Sequence, residues 1–372
     1  MIGMVIRGVA AWAALMAVAV GLAGSANVRH GTPLWPGARY SIEERDAAVM
    51  RAFTFLRYFA RYEPNYKAYG SDLLSMFYNI AETSQNRELS EAARAAGHEL
   101  AMHWRRLHPH VPPEAGPFEV ADLVFGHDPA ERLGAPDANM GAELRAAAAK
   151  YTALDYLLFD PAKEPPPSDI PKECEKCGHQ NARGAKVCSR CNTRLEMRTR
   201  YDLFQDALIT TYTGDRAGIM LGAPFKDVVR WLPVMRPYPP RQPRHNYEYY
   251  SGVYSATHVV YTNNDYSQLR LDRGCFAPEV EHLHATLQHA VTDHDAETMG
   301  EYLDSLRTFG IGFEDASIRQ GFEFLLSVQN HDGSWGDVHD PDIYGRYHPT
   351  WTSVDGLRDY RWSQMAPCPV LK

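Results

Sequence analysis

Residues 174–191 read CEKCGHQNARGAKVCSRC, which sets Cys174, Cys177, Cys188 and Cys191 in the pattern C-x2-C-x10-C-x2-C. Each C-x2-C turn aims two thiolates at one point, and two such turns close a sulfur tetrahedron around one cation. Gly178 and Gly184 permit the tight backbone beside them. Four sulfur ligands leave no position for water, so the expected role is a structural zinc ion and not a catalytic one. Iron or disulfide pairing are the alternatives open to the same thiols. Residues 172–196 are thereby committed to a small insert, and the rest of the fold must be built around it.

On both sides of the insert the apolar residues recur at helical spacing. Ser41 and Glu44 form a capping box ahead of Val49, Phe53, Leu56 and Phe59. Further helices are expected after Ser71, from Ser90 to Leu107 and from Asn139 to Phe159. Residues 161–171, with Pro165, Pro166 and Pro167, cannot be helix interior and read as a linker. Beyond the insert the pattern predicts helices over 201–213, 225–232, 246–262, 278–291, 296–309, 314–329 and 350–360. No alternating stretch is long enough for a strand outside the insert. The chain therefore reads as all-α, with helical parts at 40–160 and 200–372 flanking the insert.

Hydrophobic residues make up 45% and charged residues 23%, values of a folded, water-soluble body. A net charge of -8 with scattered basic residues argues against nucleic acid as a partner, since phosphate binding needs a basic face. Arg7, the uncharged stretch Gly8–Ala23 and the small residues Gly24, Ser25 and Ala26 describe residues 1–26 as a secretory signal or a membrane anchor. The expected location is accordingly exported, periplasmic or anchored at a membrane through the N-terminus. Cys275 and Cys368 then form a disulfide or stay as two buried thiols.

Near the C-terminus, Phe322, Leu325 and Leu326 lead to Gln329 and then to Asp332-Gly333-Ser334-Trp335-Gly336. Gln329 can bond the end of its helix, Gly333 can make the turn and Trp335 can pack beneath it. These residues resemble the Gln-Trp repeat of the terpenoid cyclase and protein prenyltransferase superfamily. The stretch with Tyr347, His348, Thr350, Thr352 and Leu357 resembles the next helix of that family. The resemblance implies an α/α toroid of antiparallel helical hairpins, and isoprenoid chemistry as its family association. The family's acid motif is absent: Asp293-His294-Asp295 has the wrong pattern, and Asp272 and Cys275 are wrongly spaced for the prenyltransferase metal pair. The cysteine segment resembles the short zinc ribbons appended to many bacterial proteins, which implies docking to a protein partner or simple stapling of the fold.

The richest chemistry lies in HNYEYYSGVYSATHVVYTNNDY, where Tyr247, Tyr250, Tyr254, His258, Tyr261 and Asp265 follow steps of three or four. Four tyrosines with a histidine and a carboxylate suit the wall of a polar-aromatic cavity, each hydroxyl needing a partner. His258 and Asp265, with Tyr254 and Tyr261, are the expected proton-transfer residues. Tyr247, Tyr250, Trp335 and His348 are expected to bind substrate, with Asp337 and Asp355 as further candidates beside the Gln-Trp segment. Histidines 282, 284, 289 and 294 crowd another helix, as a metal site or a solvated cluster. The expected function is an enzyme acting on a hydrophobic, isoprenoid-like or glycan-like substrate. The alternative is a non-catalytic ligand-binding or assembly scaffold docked through the ribbon.

Overall fold

The computed structural model describes residues 31–244 and 246–371, so the expected N-terminal signal or anchor lies outside the described residues. Among those described, no helix is long and apolar enough to cross a membrane. The chain is mostly helical, and its β-pairing is confined to isolated bridges.

The first helix, α1 (Ile42–Arg61), begins at the capping box anticipated above: Ser41 Oγ accepts from the Glu44 amide and Glu44 Oε2 accepts from the Ser41 amide at 2.7 Å. Helix α2 (Glu63–Thr83) starts earlier than expected, with Pro64 in its first turn, and kinks at Tyr69. Helices α3 (Arg87–Leu107), α4 (Pro117–Arg132), α5 (Ala138–Ala148) and α6 (Ala153–Leu157) follow. The sequence reading missed α4. Its inner face includes Gly126 and Pro129, residues that mask helical periodicity, yet Gly126 is where Trp104 packs against the bare backbone. An added Cβ there would stand 2.4 Å from the indole.

After the insert come α7 (Arg200–Ala217), the short α8 (Phe225–Val229) and α9 (Leu232–Met235), α10 (Tyr247–Asn263), α11 (Ala277–Thr292), α12 (Ala296–Thr308), α13 (Ala316–Val328) and α14 (Tyr344–Leu357). The last begins six residues before the expected Thr350, because Pro349 sits inside it and conceals the first turn. The expected helix over 225–232 is two pieces, interrupted before Pro233.

The helices pack in an order that returns on itself. α1 lies on α2, α2 on α4, α4 on α7, α7 on α10, α10 on α12, α12 on α14, and α14 on α1. Of the other helices, α3 contacts both α2 and α4, α11 contacts both α10 and α12, and α13 contacts α11, α12 and α14. Residues 358–361, just past α14, are tied to α1 and to the end of α2. Arg361 N donates to Thr83 O at 2.7 Å, Arg358 reaches Ser84 Oγ at 3.1 Å, and Arg45 pairs with Asp359 at 2.8 Å.

The Gln-Trp segment serves the same closure. Trp335 is fully buried and donates through Nε1 to Leu325 O at 2.9 Å. Gln329 does not tie off its own helix as expected. Its amide donates to Ala48 O of α1 at 2.9 Å and to Gly333 O at 3.0 Å. Gly333 has φ +89°, and an added Cβ would meet Arg51 O of α1 at 2.7 Å, so a side chain is excluded twice over. Cys275 and Cys368 are joined in a disulfide that pins the C-terminal segment near the start of α11.

Candidate functional site

α12 and α14 approach more closely than any leucine-lined pair could. A Cβ on Gly300 would stand 2.3 Å from the Thr352 carbonyl carbon, and one on Gly356 would stand 2.9 Å from Gly300 O. This backbone-on-backbone crossing brings the acidic face of α12 against His348 and Asp355 of α14. Between these two helices, α10, α7 and α2 lies a cavity of ≈ 260 Å³. Its wall carries Asp72, His258, Tyr261, Glu301, Asp304, Tyr344, His348, Trp351 and Asp355, together with Tyr266 and Arg358.

Two of the wall residues have protonation states that can be argued from their bonds. His258 Nδ1 lies 2.7 Å from Tyr254 O, a carbonyl that can only accept, so Nδ1 carries the proton and Nε2 is the lone-pair nitrogen. Burial lowers the His258 pKa to about 4, which keeps the ring neutral. Glu301 is buried at 2% exposure and its Oε2 is 2.6 Å from Thr257 Oγ1. Burial raises its pKa to about 8, so it is a neutral acid near pH 7. Thr257 has one hydroxyl proton and also contacts Tyr254 O at 2.9 Å. The Thr257 hydroxyl donates to Glu301 Oε2 and so works to lower its pKa, but burial outweighs that bond.

One turn earlier on α12, Glu297 behaves in the opposite way. Burial acts to raise its pKa, but His348 and Tyr254 outweigh it and hold the carboxyl low. His348 Nδ1 stands 3.0 Å away as an ion pair without hydrogen-bond alignment, and the Tyr254 hydroxyl donates at 3.0 Å. Burial works to lower the His348 pKa, yet the Glu297 carboxylate beside it outweighs burial and raises it. At the far end of the wall, burial raises Asp304 to about 7, with Asp355 adding repulsion. Burial likewise raises Asp355, against the pull of Arg358, whose Nε donates at 2.8 Å.

The expected tyrosine stripe is real, but most of it does another job. Tyr250 bonds Asp293 at 3.0 Å and Tyr254 bonds Glu297, so the stripe fastens α10 to the end of α11 and the start of α12. Only His258 and Tyr261 reach the cavity from it. Tyr247 is exposed, bonding Asp202 at 2.8 Å with the Lys172 ammonium 4.0 Å above its ring. Asp265 does not share the helix face with His258. The helix ends at Asn263, Asp265 takes φ +53°, and its carboxylate meets the Tyr212 hydroxyl and, at 3.9 Å, Arg216. Trp335 is core, Asp337 lies on an exposed turn, and His348 and Asp355 are at the wall.

The residues that sequence reasoning missed are chiefly acidic: Asp72, Glu297, Glu301 and Asp304. A signal existed for three of them. Glu297, Glu301 and Asp304 recur at steps of four and three on α12, an acidic stripe on a helix that also buries Met299, Tyr302, Leu303 and Leu306.

Among the described residues, the four cysteines are the one group of three or more side chains placed to share a metal ion. Cys174 and Cys191 Sγ are 3.4 Å apart, Cys177 and Cys188 Sγ 3.7 Å, and all four sulfurs lie within 4.8 Å of one another. The turns that aim them are closed by Gly178 N donating to Cys174 O at 2.8 Å and Asn192 N to Cys188 O at 2.9 Å. The histidines of α11 do not assemble: His289 bonds Tyr249 at 2.7 Å, His284 bonds Asp315 at 2.8 Å, and His282 stacks on Tyr238. Comparison with protein-family models, curated proteins and solved structures found no match for this chain.

Proposed function

We propose that the chain is an acid–base enzyme of α/α-toroid form, cleaving a glycan-like, polyhydroxylated substrate in the cavity between α2, α7, α10, α12 and α14. The observation that carries this is that a neutral His258 and a protonated Glu301 line the same cavity. Such a pair, with environments that push the two groups to opposite proton occupancy, is the requirement for concerted acid and base work. Glu301 delivers a proton to the leaving oxygen, and His258 Nε2 takes one from water or from the substrate carbon. Glu297 accepts from the Tyr254 hydroxyl and pairs with His348, which holds the wall in register. Of the two substrate classes expected, the glycan-like one fits better. Four carboxyls, two histidines and three tyrosines interleaved with Trp351 offer hydrogen bonds and one stacking face, which suit hydroxyl groups and disfavour a bare hydrocarbon.

The closed succession of helices and the Gln-Trp closure support the toroid reading. A tetrahedral zinc with Zn–S near 2.3 Å needs sulfurs about 3.8 Å apart, and the four thiols fit that figure. The ribbon is then a structural zinc module, able to staple the stem at Pro171 and Met197 or to dock a protein partner. The Cys275–Cys368 disulfide favours the exported or anchored location, where such bonds persist.

The test is a panel of oligosaccharides assayed for new reducing ends and for unsaturated products, with wild type beside Glu301→Gln. Turnover that falls at least about a thousandfold in the variant, with binding retained, is the expected result. Sugars that bind with no turnover in either protein would instead make this a glycan-binding scaffold.

A further inference from the structure

The central cavity is not isolated. A smaller void of ≈ 100 Å³ adjoins it, sharing Asp72, Asn79, Ile209, Tyr266 and Trp351 with its wall. That void shares Ile209 and Phe125 in turn with a third space of ≈ 260 Å³ between α4, α6 and α7. The three stand in series, with Ile209 of α7 common to all of them.

Their chemistry changes along the series. The central cavity is lined mainly by carboxyl, imidazole and phenol groups. The third space is lined by Phe118, Phe125, Tyr156, Leu157, Leu203 and Ile209, with the Arg198–Asp206 ion pair at 3.0 Å among its few charges. Phe118 is 59% exposed there, although a large aromatic side chain is stabilised by burial. The middle void has less than half the volume of either neighbour.

We propose that the substrate is amphipathic: its polyhydroxylated head occupies the central cavity, and an alkyl or acyl chain runs past Ile209 into the apolar space between α4, α6 and α7. The inference rests on the reading of the central cavity as a site for a polyhydroxylated group. It adds the chemical class of the remainder of the molecule and the residues that select it. The wall residues shared along the series, Ile209 above all, are what commit the apolar space to this occupant. Phe118 and Thr210 are then specificity residues, because both line the apolar space and neither lines the central cavity.

Isothermal titration of n-alkyl β-glucosides from methyl to octyl, below their micellar concentrations, tests this on the whole protein. The expected result is an affinity that rises at least about tenfold from butyl to octyl, as added methylenes leave water. Phe118→Asp and Thr210→Trp, one making the space polar and the other filling it, are each expected to abolish that rise while methyl glucoside binding stays unchanged. Asp suits the first turn of α4, so the first variant keeps its helix. An affinity independent of chain length, or a rise that survives in both variants, overturns the proposal. n-Octanol serves as the control that separates its two halves. Octanol binding as tightly as octyl glucoside, with methyl glucoside not binding at all, would overturn the head group and the reading of the central cavity together. Methyl glucoside binding that His258→Ala abolishes, with no gain from a longer chain, would leave that reading standing and overturn the tail.

Discussion

At the scale of single residues, Glu301 and His258 hold their protons in the reverse of their order in water, and the pH dependence follows from that. A reaction that needs His258 neutral gains activity as pH rises through about 4. One that needs Glu301 protonated loses activity as pH rises through about 8. A rate plateau between those values is expected, and Glu301→Gln should abolish turnover across all of it. Stability carries a second signature. Between its ordinary value of 4.5 and about 8, folded Glu301 keeps a proton that the unfolded chain releases. Its contribution is therefore fully present below pH 4.5 and lost as pH rises through the window, by at most about 1.4 kcal/mol per pH unit. Urea unfolding at pH 5 and pH 8 checks this: Glu301→Gln should gain stability relative to wild type at pH 8 and show no such gain at pH 5. His258→Ala is expected to cost under about 1 kcal/mol, because Tyr254 O loses only one of its donors. A loss of several kcal/mol in thermal unfolding would make His258 a core histidine.

At the scale of elements, the site depends on how closely α12 and α14 cross. Gly300 meets the Thr352 carbonyl group, which is backbone and cannot move aside as a side chain tip would. Gly300→Val should destabilise the protein by about 1 to 3 kcal/mol or more, as overpacking does, and should spread the two helices. Gly70→Ala is the control, since its nearest neighbours stand at 3.7 Å. Comparing the melting temperatures of the two variants, and sugar binding by each, separates a close helix crossing from a general intolerance of substituted glycines. The sequence shows both glycines but not their meaning. A helical glycine reads only as a weak point, costing about 1 kcal/mol in propensity, until the partner backbone is known.

At the scale of the whole molecule, two cross-links act on different parts. The Cys275–Cys368 bond closes a loop of sequence separation 93. Loop-closure entropy for that length is worth about 4 to 5 kcal/mol, so the double serine variant should show a clear loss in denaturant midpoint. The four-cysteine group acts locally, since its cluster holds only Leu195 besides the buried Cys174 and Cys188, with Met197 alongside. Chelation, or Cys177→Ser, should leave the far-ultraviolet helical signal intact while protease cleavage begins within residues 172–196. Metal analysis of the purified protein should find about one zinc per chain.

The division between sequence and tertiary structure follows from the range of the forces involved. Helix class, the Ser41 cap, the α10 and α12 boundaries and the cysteine turns are local: they follow from spacings of three or four residues and from backbone freedom at a few glycines. The pattern that marked His258 and Tyr261 belongs to the same range, and so did the clue in Glu297, Glu301 and Asp304. What only the tertiary structure decided was which of those faces meet. Asp265 was lost to the site by a left-handed turn, Tyr250 was taken up by Asp293 at the end of α11 and Tyr254 by Glu297 of α12, and His348 of the adjoining α14 joined Glu297. Burial decides a proton's location only after the opposing helix is in contact, and no spacing within one chain segment reports how deep that contact is.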